Sequence, residues 1–98
     1  MSFGIKLITE ERNRQIESEG WTHQHDTQYT EEQLARAACC YTMPRRWLSN
    51  YMLALLWPWD IKWWKPSPDN RVRDLVKAGA LIAAEIDRLH TFEQNARS

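Results

Sequence analysis

The sequence predicts a single all-α domain, a small bundle of three to four helices with a Trp/Pro-rich loop before the last long helix. Three observations predict it. Apolar residues recur at helical spacing in the last third of the chain, helix-capping residues stand before two of the periodic segments, and prolines crowd between them. With 98 residues, the whole chain, 1–98, reads as one domain. A chain this short buries only a modest core, so self-association would add stability.

The first helix is expected over about Gly4 to Glu19, with Ile5, Ile8 and Ile16 near one face, Arg12 and Gln15 at its border, and Gly20 as the stop. Trp21 to Tyr29 forms a polar connection. Thr30-Glu31-Glu32-Gln33 is a capping-box sequence, in which the Thr hydroxyl accepts from a helical N–H while Gln33 reaches back. It opens a second helix near Glu31 to Met43, closed by Pro44. Arg46 to Leu56 reads as a short helix, with Trp47, Tyr51 and Leu55 four residues apart.

Between Trp57 and Pro68 stand three of the four prolines, beside Trp57, Trp59, Trp63 and Trp64. Prolines this dense deny a regular helix and favour an extended loop pinned by aromatic rings. The last helix, roughly Asn70 to Phe92, is capped by Asp69 or Asn70. Along it recur Val72, Leu75, Val76, Gly79, Ile82, Ala83, Ile86 and Leu89. Glycine costs about 1 kcal/mol relative to alanine inside a helix. Gly79 therefore implies close approach of another element, and Ala35, Ala37 and Ala38 of the second helix offer a matching small surface. The tail, 91–98, is expected to fray.

Net charge is zero but unevenly placed: residues 1–40 carry −3, residues 41–78 carry +4, and the remainder −1. Either the middle third binds an anion or the two halves neutralise each other on folding. Cys39 and Cys40 are adjacent and have no other partner, so no disulfide framework is expected. The N-terminus reaches only Ile5–Lys6–Leu7–Ile8 before acids begin, and the longest apolar run, Met52 to Trp57, is far short of a membrane span. A reducing cytoplasm, and no membrane partner, are the expectation.

No Gly-rich phosphate loop and no Ser-His-Asp or Cys-His signature is present, so no catalytic residue is assigned. His23-Gln24-His25-Asp26 offers two imidazoles and a carboxylate, but its spacing matches no defined zinc site, and neither a metal nor a cofactor is expected. Glu31 and Glu32 on one helix with Glu85 and Asp87 on another invite a magnesium reading. Glu85 and Asp87, however, are about 200° apart around a helix and cannot chelate one ion. All-α nucleotide pyrophosphohydrolases of the MazG type set Glu-x-x-Glu and Glu-x-x-Asp acids on facing helices. This chain offers neither spacing, and a divergent MazG-like enzyme stands only as an alternative.

The Trp-rich loop beside basic residues is the clearest binding pattern. Trp59, Trp63 and Trp64 can stack on a base, Lys65, Arg71 and Arg73 can neutralise phosphate, and His25 and Asp26 can orient a sugar or base. The opposing reading has the tryptophans plugging the end of a bundle while the cations face water. Single-stranded nucleic acid uses the same ingredients, but zero net charge and an acidic N-terminal third argue against it.

A resemblance adds context. Glu11-Arg12-Asn13-Arg14-Gln15, Glu19-Gly20-Trp21-Thr22, His25-Asp26, Trp57-Pro58-Trp59-Asp60, Trp63-Trp64-Lys65-Pro66 and Arg73 to Ile82 resemble a family of small phage and prophage proteins across nearly the whole chain. The resemblance implies expression in a bacterial host cytoplasm and a dispensable, accessory role, and it carries no activity with it. Such accessory proteins commonly act by binding. The expectation is thus a non-enzymatic counter-defence protein that sequesters a phosphorylated nucleotide-like ligand. The protein-binding alternative is an inhibitor of a host defence protein acting through Trp47, Tyr51 and Leu55. A homo-oligomer is also anticipated.

Overall fold

The computed structural model describes residues 2–19 and 32–97, and four α-helices account for most of them. They are α1 (Phe3–Glu19), α2 (Gln33–Thr42), α3 (Asn50–Leu56) and α4 (Arg71–Arg97). Short 3₁₀ segments lie at Arg45–Trp47 and Ile61–Trp63. His25, Asp26, Thr30 and Glu31 lie outside the described residues. No described helix is long and apolar enough to cross a membrane.

The bundle is organised around α4, which α2 and α1 flank on different sides. Leu34, Ala37, Ala38, Cys40 and Tyr41 of α2 pack on Ala78, Leu81 and Ala84 of α4, and Trp57 closes the end of this core. Leu53, Leu56, Trp59 and Trp64 pack on its margin. Alanines on both helices let the two backbones approach closely, so the small surface expected on α2 is used against α4. Gly79 is not part of that contact. A side chain there would meet Ile8 of α1, whose Cδ1 lies 2.4 Å from where its Cβ would be. The glycine thus admits α1, not α2.

The contact between α1 and α4 is polar. Glu11, Arg12 and Gln15 are buried on α1; of the isoleucines expected along one face, Ile8 reaches α4 at Gly79, whereas Ile5 is 56% exposed. Arg12 pairs with Asp87 at 3.2 Å, and Arg73 pairs with Glu11 at 2.8 Å. Within α4, Glu85 and Arg88 form a buried pair at 2.6 Å. Each of these charges is compensated, as burial requires.

Element ends follow local chemistry. The Ser2 hydroxyl accepts from the Ile5 N–H at the start of α1, and Asn70 accepts from the Arg73 N–H at the start of α4. Helix α2 begins only at Gln33, preceded by Glu32 in the left-handed conformation (φ 60°) without a side-chain cap. The single helix expected over Arg46 to Leu56 is instead a 3₁₀ turn and α3, because Ser49 caps a fresh start by accepting from the Met52 N–H. At the other end, α4 continues past Phe92, where its end is expected, to Arg97. No glycine or proline follows Phe92 to stop it.

Candidate functional site

The loop between α3 and α4 is set by its own side chains. Indole Nε1 of Trp57 donates to the Asp60 carbonyl at 3.1 Å, and the Asp60 carboxylate accepts from the Lys62 N–H at 3.0 Å, opening the 3₁₀ turn. The Lys65 N–H donates to the Tyr41 hydroxyl at 3.2 Å. Buried Asp74 accepts from the Ser67 N–H at 2.8 Å and so ties the loop to the first turn of α4. Three of its rings lock together with Tyr41 of α2. Trp57 makes edge contacts with Tyr41, Trp59 and Trp64 at centroid distances of 5.9, 5.4 and 5.2 Å, and Tyr41 stands 4.7 Å from Trp64.

Beside this cluster lies a cleft of about 1020 Å³. Its aromatic wall comes from Tyr41, Trp57, Trp59 and Trp63, its floor from Leu34 and Leu81, and its cationic wall from Arg14, Lys65, Arg73 and Lys77. Glu11, Gln15 and Asp60 complete the lining. Three helices and the loop therefore meet here. The volume is at the upper end of the ~300–1,000 Å³ usual for small-molecule sites.

The electrostatics of the cationic wall centre on Glu11. Burial alone would raise its pKa, but hydrogen bonds from Arg14 and Arg73, with their charges, bring it down to about 2. Arg14 grips both carboxylate oxygens at 2.9 Å, and Arg73 donates to Oε1 at 2.8 Å. Lys77 donates to the Lys65 carbonyl and lies 5.4 Å from the Tyr41 ring centroid. Its pKa is lowered by burial and by the neighbouring Arg73. Among the described residues the Lys65 ammonium makes no ion pair, and the buried Gln15 Oε1 has no hydrogen-bond partner. A large cleft with more cationic than anionic groups in its lining suits an anionic guest.

Of the residues singled out in the sequence, Trp59, Trp63, Lys65 and Arg73 come together in this lining. Trp63 is 61% exposed, with Lys62 Nζ 5.4 Å from its ring. Trp64 is absent from the lining and packs in the aromatic cluster, with Arg45 6.0 Å over its ring. Arg71 likewise turns away, donating to the Tyr41 and Thr42 carbonyls and thereby capping the end of α2. His25 and Asp26 lie outside the described residues. Sequence reasoning missed Glu11, Arg14, Gln15 and Tyr41, which lie far from the loop in sequence and reach the cleft only through the α1–α4 and α2–α4 contacts, and Lys77, which lies two turns into α4.

The other candidate features fall elsewhere. Glu85 pairs with Arg88 and Asp87 with Arg12, on different sides of α4. Cys40 is buried, and burial together with neighbouring Cys39 pushes its thiol up to about 11, which removes the thiolate needed for nucleophilic work. Trp47, Tyr51 and Leu55 are 67%, 71% and 53% exposed. No protein-family model, curated protein or solved structure matches the chain.

Proposed function

We propose that the protein acts by binding, and that its cleft captures a small phosphorylated ligand carrying an aromatic ring, of the nucleotide type. One observation carries this reading: stackable indoles and a set of cationic side chains face the same large cleft. Trp59 and Trp63 take the ring, and Arg73, Lys65 and Lys77 take the phosphate. The resemblance to small phage and prophage proteins supports a counter-defence setting, in which capture removes a nucleotide-derived signal.

The test is a thermal-shift and native mass spectrometry panel of cyclic dinucleotides and ADP-ribose derivatives. Tight ligands raise stability by RT ln(1 + [L]/Kd), so binding appears as a higher Tm and a mass increment. An unchanged Tm across the panel, with no adduct, rejects the reading.

A second reading rests on a different surface. Trp47, Tyr51 and Leu55 are large apolar side chains left exposed on the 3₁₀ turn and α3, as at surfaces that bind proteins. Loss of capture from a host lysate with Trp47→Ala and Tyr51→Ala, and retention with Trp63→Ala, would favour this second reading.

A further inference from the structure

The strongest periodic signal in the chain faces solvent. On α4, Val72, Leu75, Ile82, Ile86 and Leu89 are 53%, 43%, 48%, 60% and 45% exposed, although their spacing is that of a packed face. With Gly79 they repeat at intervals of three and four residues, the a/d pattern of paired helices. At 100° per residue they fill a stripe about 100° wide and about 26 Å long, in which no charged residue occurs between Val72 and Leu89. Helix α2 and helix α1 cover the rest of the circumference. At the one position without a side chain, Ile8 of α1 sits over Gly79, so the apolar surface is unbroken.

We propose that this stripe is the interface with a second copy of the same chain, α4 against α4 in antiparallel orientation. The two-fold axis passes between Ala80 and Leu81. In that register Val72 of one copy meets Leu89 of the other, Leu75 meets Ile86, and Ile82 meets Ile8 where it covers Gly79, so apolar side chains oppose each other along the whole length. Parallel pairing would set Arg71 against Arg71. The antiparallel arrangement instead brings Arg71 within a turn of Glu93 of the other copy, and it opposes the helix dipoles. Exposed Phe92 of α4 and Ile5, one turn before Ile8, extend the surface. At roughly 100 Å² for each exposed side chain, the copies would each bury about 700 Å², close to the ~800 Å² per partner of a stable interface.

The experiment is light scattering and sedimentation of the full chain at micromolar concentrations. The expected mass is about 23 kDa, twice the 11.7 kDa of one chain, with a Tm that rises with concentration. The double substitution Ile82→Glu/Ile86→Glu should return the protein to the single-chain mass. Both side chains are exposed, so its helical circular dichroism should not change. A spin label on His90→Cys, in a Cys39→Ser background, should report about 30 Å between copies, against about 10 Å for parallel pairing. A wild-type chain of single mass, a dimer that survives the double substitution, or the short distance would overturn the proposal.

Discussion

Arg73 meets Glu11 at 2.8 Å across the contact between α1 and α4, and the same guanidinium lines the cleft. Fold and site therefore share one ion pair. Its partner carboxylate is held at a pKa of about 2 against an ordinary 4.5.

A depressed carboxylate pKa gives a definite acid response. The contribution of Glu11 is complete above pH 4.5 and is lost as pH falls toward 2, because the unfolded chain takes up the proton first. Glu11→Gln should flatten stability between those values, and at neutral pH it should cost about 1–3 kcal/mol in urea unfolding. Equal slopes for both proteins below pH 4.5 would count against the assignment.

Gly79→Ala sets two effects against each other. Helix propensity favours alanine by about 1 kcal/mol. The new Cβ, however, would fall 2.4 Å from Ile8 Cδ1 and 2.7 Å from Cγ1, an overpacking of about 1–3 kcal/mol. A net loss of about 1 kcal/mol is expected. Placed on top of Ile8→Ala, the same substitution should become stabilising, and thermal unfolding of the four proteins measures the reversal.

The aromatic residues should separate by role. Trp57 is 8% exposed and hydrogen-bonded, so Trp57→Phe should cost about 2 kcal/mol. Trp63→Ala should change stability by less than about 0.5 kcal/mol. It should nevertheless weaken capture of a nucleotide roughly tenfold or more, since stacking is worth about 1–3 kcal/mol per base. Isothermal titration with the best ligand of the panel, beside denaturant melts, distinguishes them.

Arg71 and Arg73 are neighbours in sequence with different duties. Arg71→Ala removes the cap on α2 and should lower stability by about 1 kcal/mol while leaving affinity within twofold. Arg73→Ala should lower both. Phosphate-dependent affinity measured for the two variants is the check.

Local chemistry was legible in the chain, and partners were not. Asn70 announces the start of α4, and the prolines between Trp57 and Pro68 announce an interruption, because both act on backbone within a few residues of themselves. Which side of α4 is covered does not follow from periodicity. Val72, Leu75, Ile82, Ile86 and Leu89 give the louder pattern, yet Ala78, Leu81 and Ala84 form the core, with Glu85 and Arg88 buried beside them. An alanine-rich face is quiet in a hydrophobicity pattern although it permits the closest approach. Half the cleft was likewise invisible, since Glu11, Arg14 and Gln15 belong to a helix whose docking depends on ion pairs with residues some sixty positions away.

The polar joint under α1 has a mechanical consequence. Helix α2 is glued to α4 by apolar contact, whereas α1 is fastened mainly by electrostatic rivets around Ile8. High salt or acid should therefore loosen α1 before anything else, and amide exchange should quicken there first. Since Glu11, Arg14 and Gln15 furnish one side of the cleft, the most detachable piece of the molecule is also the one whose departure would lay that side open.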